Sequence, residues 1–433
     1  MQFYKKKKTG KTWQKNPVVS FLHLFRDGLI FLLPIKRLPS FLIKPLYGVK
    51  PKFIFFVHPR RTEDVYVAMP FLVPLRRILG RALFEKILYF CPPFVLNTIK
   101  TERSIDGAVI GTLSLPKVLL KSKKTAIRES VRGLFFGSKI TPRGAVLGLG
   151  GLWPMVTRRG LSLTQYAKPR GTVVTNGHCG TLVSLFLTIK KLADLANIPM
   201  DELKIVILGV GKMGTNLARA LYGKVATLTL VDINETTLNR VEEKLKQTIA
   251  ITDIQKYTNR EDVEGIEKIL SNSHITVCTT SNATRILRPE QIPGNTIIID
   301  DSRPEGIPRS LGKENIAILE GGILKIKGIR QNYDFGFGVD ENVFGCLAES
   351  FLLAAIKDGS LAPTLGEVDF KNFDQMILAC KKVDVTIEEF KCRDEIIKPE
   401  RLISILRAKT DLRSTIPFKN ICWLLKVDDM QNL

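Results

Sequence analysis

The 433-residue sequence has no CxxC pair, no internal repeat, no low-complexity tract and a single acid, Asp27, in its first sixty positions. Seven cysteines, an odd number scattered along the chain, point away from a disulfide framework or a zinc site. They point towards reduced thiols in a cytoplasmic protein. No apolar run reaches the ~20 residues that a bilayer-crossing helix needs. The stretch from Pro17 to Ile35 comes nearest, and Arg26 and Asp27 break it. What the chain does have is size and positive charge. Its length allows two or three domains, each with its own core. With 45% hydrophobic and 25% charged residues it is globular rather than disordered. Lys and Arg number 65 against 42 acids, for a net charge of +23.

About half of that excess sits at the amino end, where residues 1–60 hold 13 basic side chains and the one acid. Such a region attracts anionic partners: phospholipid headgroups, nucleic acid or an acidic carrier protein. KKKK at 5–8 followed by an apolar stretch imitates a secretory signal. However, no small-residue cleavage site follows, and the charged pair splits the apolar run. Residues 1–50 therefore read as a basic, apolar extension. It either lies in a membrane interface or docks on the body of the protein, since basic flanks and an apolar face suit both.

Three blocks follow. An amino-terminal α/β substrate domain (51–172) opens on a buried strand, KFIFFV (52–57), that ends at His58-Pro59-Arg60. Helical patterns run on to about residue 140, and the glycine-rich GAVLGLGGLWPM (144–155) comes next. Residues 173–338 alternate strands and helices with the rhythm of a doubly wound dinucleotide-binding domain. Residues 339–433 read as a mostly helical segment. The expected fold class is α/β: a central Rossmann-like doubly wound domain, flanked by an N-terminal α/β domain and a C-terminal mostly helical segment.

In the central block KIVILGVG (204–211) is a strand entering a glycine turn, and MGTNLARALYG (213–223) is a helix. GVGKMG thus places Gly209 at a tight turn, Gly211 where backbone must approach a pyrophosphate, and Gly214 where helix packs on strand. Lys212 and Met213 lie between them in the cofactor loop. The next strand, TLTLVDI (227–233), carries Asp232 at the interval where an acid meets the adenosine ribose hydroxyls. A carboxylate there repels a 2′-phosphate, which favours NADH over NADPH. Thr280, in the strand segment HITVCTTS (274–281), is a further cofactor candidate. Asp301, Ser302 and Arg303 follow another strand at the carboxyl edge, where such sheets bind ligands. Nothing in the pattern requires a metal.

Taken in order, these segments resemble the long-chain fatty acyl-[acyl-carrier-protein] reductases, which form fatty aldehyde. The resemblance runs from about residue 50 to 360. It includes HPR after the first strand, LGG at 149–151, TNGH at 175–178, the Rossmann glycines, Gly321-Gly322 and CLAESFLL at 346–353. It implies NADPH as the family's reductant, an acyl carrier protein or acyl-CoA as partner, and Cys346 as the residue that becomes acylated. The chain departs from the family pattern in two places. Thr175-Asn176-Gly177 stands where the family is closer to Thr-Gly-Asn, and Asp232 ends a strand that in the family ends without an acid.

On generic grounds, a lone cysteine among Phe, Leu and Ala in ENVFGCLAES (341–350) is a packed core thiol. The upstream dinucleotide unit and the resemblance make Cys346 the candidate nucleophile instead. Asp340 or Asn342 as helix cap would set it in the first or second turn, where the helix dipole favours a thiolate. Cys179 is its rival. His178 is the candidate proton donor to the leaving thiolate or the aldehyde oxygen. Thr175, Asn176, Asp301, Gly321 and Gly322 are candidate substrate-loop residues, and His58 reads as a turn residue.

The expected activity is NAD(P)H-dependent reduction of a long-chain acyl thioester to aldehyde, in the cytoplasm, with peripheral membrane contact through residues 1–50. Two alternatives stand beside it. GVGKMG also resembles the glycine loop of glutamyl-tRNA reductase, so that activity or an amino-acid dehydrogenase is one. A nucleotide-binding, membrane-associated protein without catalysis is the other. A tRNA would suit the charge, but that reductase uses a cysteine near its amino terminus, and this chain has none before Cys91.

Overall fold

A computed structural model describes residues 17–248, 250–258, 263–280, 286–302, 305–309, 315–331, 334–336, 338 and 340–411. The KKKK tract and Arg303 lie outside the described residues.

The apolar stretch near the amino end forms helices α1 (Pro17–Leu32) and α2 (Ser40–Tyr47). The acid that breaks the run in sequence faces inward. Asp27 is fully buried and accepts hydrogen bonds from the Tyr47 hydroxyl (3.0 Å), the Val95 N–H (2.7 Å) and Arg26 Nε (2.8 Å). The last turn of α1 has no basic residue of its own. Lys139, on α3 (Lys123–Ile140), supplies one, with Nζ 3.0, 2.6 and 2.6 Å from the carbonyl oxygens of Ile30, Phe31 and Leu33.

Two six-stranded sheets follow. The first contains β1 (Phe53–Val57), β2 (Phe94–Thr101), β3 (Gly107–Gly111), β4 (Val146–Leu149) and β5 (Val173–Thr175). β1 runs parallel to β3 and β4, β4 parallel to β5, and β2 antiparallel to β3. The sequence reading expects helices up to residue 140, whereas β2 and β3 stand within that stretch. Glycines at both ends of β3 dilute its strand pattern, yet the sheet needs them small. A Cβ on Gly107 would drive into the Phe53 ring of β1.

α4 (His178–Ala196) leaves β5 and leads to the second sheet. Twelve of its nineteen residues are buried, because it is covered by helices from both later parts of the chain. The second sheet holds β6 (Lys204–Leu208), β7 (Thr227–Val231), β8 (Asp253–Tyr257), β9 (Ile275–Cys278), β10 (Thr296–Asp300) and β11 (Ile316–Glu320). All run parallel, in the order β11-β10-β9-β6-β7-β8. Helices α5 (Lys212–Leu221) and α6 (Glu235–Lys246) follow β6 and β7. The strand order reverses between β6 and β9, and that switch point opens a crevice at the carboxyl ends.

The chain then turns back. β12 (Ile323–Ile326) is followed by β13 (Ile329–Arg330), which pairs antiparallel with β2 and completes the first sheet. β14 (Asn342–Phe344) pairs with β12, and α7 (Gly345–Ala355) packs on α4, β1 and β4. Helices Phe370–Lys382 and Pro399–Asp411 complete the described chain. The fold class is α/β: a doubly wound Rossmann unit beside an amino-terminal α/β sheet, with a carboxyl-terminal stretch that is mostly helical.

Asp27→Ala should lower stability by about 3 kcal/mol, because it leaves the Val95 N–H and the Tyr47 hydroxyl unpaired in the interior. Urea denaturation measures this. A loss below about 0.5 kcal/mol, the level of an ordinary surface change, would show that the network does not hold α1.

Candidate active site where two sheets meet

The glycine loop follows β6. Gly209 takes φ +86°, its N–H donates to the Val231 carbonyl (2.8 Å), and the Gly209 carbonyl accepts from Thr279 Oγ1 (2.7 Å). A Cβ on Gly214 would lie 2.8 Å from Thr279 Oγ1, so α5 packs on the loop as closely as glycine allows. Among the described residues, nothing lies within 4 Å of the Cβ position of Gly211, the residue before α5. That leaves open space in front of the helix amino end and its outward N–H groups. Thr280 borders the same loop, and its buried Oγ1 has no hydrogen-bond partner among the described residues. Open space, a positive helix end and an unsatisfied hydroxyl together fit a dinucleotide. Met213 packs partly buried against the core. Asp232 is half-buried at the end of β7; its Oδ2 accepts from the Val210 N–H (2.7 Å) and its Oδ1 from Asn234 N–H (3.0 Å). It therefore braces the glycine loop as well as ending the strand.

Cys346 is the second residue of α7. It lies in the first turn, but neither expected cap is used. Asn342 is in β14, while Asp340 accepts from the Asn342 N–H (2.7 Å) and pairs with Lys391. Phe344 occupies the cap position without a side-chain bond. The carboxyl ends of both sheets converge on this turn. After β5, Gly177 (φ +74°) presses on Cys346, and a Cβ there would lie 2.7 Å from the cysteine Cα. After β11, Gly321 and Gly322 turn so that the Gly322 carbonyl accepts from the Gly345 N–H (2.6 Å). After β10, Asp301 lies against that turn, with its Oδ1 2.5 Å from where a Gly322 Cβ would be.

Cys346 as a residue is half-buried, and protein surrounds its thiol. Burial first, then the charges of Asp301 and Glu349, push it up to about 12. The backbone N–H groups of the first turn act in the opposite direction and are outweighed. The expected thiolate is therefore corrected: at neutral pH the resting residue is a protonated thiol. Cys179, the rival, is wholly buried, and burial raises its thiol too.

One turn further, Glu349 is fully buried and accepts from the Gly180 N–H (2.8 Å), the Thr364 N–H (3.2 Å) and the Thr175 hydroxyl. Burial raises its carboxyl. Asn176 donates through Nδ2 to the carbonyls of Arg159 and Gly366, both at 3.2 Å, and accepts from the His178 N–H (2.9 Å). Thr175 and Asn176, expected to contact substrate, are fully buried, and their side chains hold neighbouring loops together. They shape the crevice from behind.

His178 is half-buried at the first position of α4. Burial, and then the Arg159 charge, lower its pKa to about 4, against a smaller opposing pull from Glu367. Burial thus favours the neutral imidazole at physiological pH. His58 Nε2 accepts from the Leu152 N–H (2.9 Å), and its Nδ1 faces the Pro59 carbonyl (3.0 Å), both within turns. Sequence reasoning missed the charges around His178. One oxygen of Glu367 meets both Lys212 Nζ (2.7 Å) and Arg159 Nη2 (2.9 Å). Arg159 has φ +55°, and its buried Nε lacks a hydrogen-bond partner among the described residues. These three come from separate loops, so no local pattern could reveal them. Glu349 did leave a signal, as a lone acid in an apolar helix. Among the described residues no cluster of three His, Cys, Asp or Glu side chains is arranged to hold a metal.

Residues 191–318, which span the second sheet from β6 into β11, match the shikimate/quinate 5-dehydrogenase family. Among solved structures, the chain is similar to shikimate 5-dehydrogenase from Listeria monocytogenes in complex with shikimate and NAD. Identity there is 12% over 76% of this chain and 96% of that one, with a TM-score of 0.34. L-tryptophan dehydrogenase from Nostoc punctiforme shows 14% identity over 84% and 89%, with a TM-score of 0.34. Glutamyl-tRNA reductase from Methanopyrus kandleri shows 11% over 68% and 57%, with a TM-score of 0.27. No curated protein matches the sequence. The fold is that of an NAD(P)-dependent dehydrogenase or reductase. At these identities and TM-scores, none of the likenesses to solved structures specifies a substrate.

Asp232→Ala should weaken NADH binding about tenfold or more, since it removes the strand-end carboxylate and loosens the loop it braces. Fluorescence titration reads this, and unchanged affinity would remove the acid from the cofactor site. His178 sets a second expectation. Its folded pKa of about 4 lies below the ordinary 6.5, so its stabilising contribution is complete above 6.5 and is lost as pH falls towards 4. Thermal midpoints of His178→Gln should therefore fall less steeply than wild type across that window; parallel curves would contradict the buried neutral imidazole.

Proposed function

We propose that the protein uses NAD(P)H to reduce a long-chain acyl thioester, carried by acyl carrier protein or coenzyme A, to aldehyde through an acyl group on Cys346. The observation that carries this reading is the position of Cys346. It is a half-buried residue at the point where the carboxyl ends of both sheets meet, the edge at which such sheets gather ligands. Gly177 lets the loop after β5 lie directly on Cys346, and Gly345 lets α4 cross beside it, so both segments reach the cysteine without a side chain between them.

The sulfur attacks the thioester carbon while the thiol proton departs. Neutral His178, one residue beyond the glycine that abuts Cys346, is in the form that accepts a proton and passes it to the leaving carrier thiolate. The bond from carbon to Cys346 forms as the bond from carbon to the carrier sulfur breaks. Gly209, Gly211, Gly214, Asp232 and Thr280 would hold the dinucleotide, which supplies the hydride that reduces the acyl carbon. The carbon–Cys346 bond then breaks, and the thiol takes back a proton. The net charge of +23 suits an acidic carrier or the phosphates of coenzyme A.

One observation favours a second reading, a dehydrogenase for a small carboxylate substrate such as an amino acid. Arg159, whose buried Nε has no hydrogen-bond partner among the described residues, shares Glu367 with Lys212, and paired cations of this kind suit a carboxylate.

Intact-mass spectrometry after incubation with a long-chain acyl thioester and no reductant should show one acyl adduct on wild type and none on Cys346→Ala. NADH or NADPH should then release aldehyde. If neither adduct nor aldehyde forms with either carrier, the thioester reading fails. Turnover of amino or keto acids would then establish the second.

A further inference from the structure

We propose that α1 is an in-plane anchor that seats the protein on an anionic phospholipid surface. Val18, Leu22, Phe25, Leu29 and Leu32 recur at alternating intervals of four and three, which places them along one face of the helix. Each is between 51% and 77% exposed. Phe21 and Leu33 widen the stripe, and Phe41 of α2 is 71% exposed. A run of aromatic and aliphatic side chains of this length facing water marks an interaction surface.

The opposite face is fixed. Asp27 ties it to Val95 and Tyr47, Lys139 closes its carboxyl end, and Gly28 lies against Pro92. The stripe is thus displayed by a docked helix. It has no slack with which to fold back onto the body.

Charge selects the occupant. Asp27 is the only acid among the first sixty residues, and it is buried. Every formal charge that the described part of this region shows to solvent is therefore positive, including exposed Lys36, Lys44 and Lys50. Residues 1–15 carry six further lysines. An apolar stripe with basic surroundings fits acyl chains beneath anionic headgroups. A second copy seated on the same face would bring two such basic regions together, which like charges oppose. No described helix is long and apolar enough to cross a membrane. An in-plane position is the arrangement left to α1.

The inference concerns binding and does not depend on the reaction at Cys346. Full-length protein should co-sediment with vesicles of phosphatidylcholine mixed with phosphatidylglycerol, and less with phosphatidylcholine alone. The variant Leu22→Ser/Phe25→Ser/Leu29→Ser should bind the mixed vesicles about tenfold or more weakly, with its thermal midpoint and NADH affinity retained. High salt should also weaken wild-type binding. Equal binding by variant and wild type would overturn the proposal, as would no preference for the anionic vesicles. A wild-type dimer that the triple variant dissociates would overturn it too, by assigning the stripe to a second copy.

Discussion

The arrangement of the site depends on how closely two helices cross. α4 and α7 meet at Gly180 and Gly345, where a side chain on either would drive into the other's carbonyl oxygen. The Glu349 carboxylate locks the crossing, because it takes the Gly180 N–H from one helix while anchored in the other. α4 starts at the end of the first sheet and leads into the second, and α7 starts at a turn that follows the second and lies on the first. Bringing their amino ends together therefore brings together the carboxyl edges of both sheets. Cys346 is at that point as a consequence.

The same burial that fixes this geometry sets its electrostatics. A thiol and an imidazole close to charged groups might have formed an ion pair, yet both are held uncharged. Acids lie near the cysteine and an arginine near the histidine, the reverse of what a thiolate and an imidazolium require. Above them, Lys212 and Arg159 share a single oxygen of Glu367. Basic side chains thus lie on the side of the cofactor loop, and acidic ones lie beside the sulfur.

The sequence made the dinucleotide half legible because strand, glycine loop, helix and acid are contiguous, and each constrains the next. It also placed Cys346 in the first or second turn of a helix. It misjudged the caps, since Asn342 pairs with a strand and Asp340 with Lys391, fifty-one residues away. Thr175 and Asn176 read as polar loop residues open to substrate, but the groups that satisfy them lie as far as 190 residues along the chain. β3 was hidden by glycines, and the purpose of Gly107 is visible only with the neighbouring Phe53 ring in place. At the amino end, Arg26-Asp27 looked like the defect that breaks an apolar segment. Buried on one side of a helix, Asp27 is what lets the other side remain apolar.

β13 and α7 carry one more consequence. The first sheet begins at Phe53, yet its last strand ends at Arg330 and the helix over β1 and β4 begins at Gly345. Phe53 meets its edge-on partner Phe351 nearly three hundred residues later. On a ribosome all six strands of the Rossmann sheet have been made while the first lobe still has a bare face and an unpaired edge. The lobe that appears first in the chain thus stays open until the strands of the second sheet have been made, and until it closes the cysteine has no site around it.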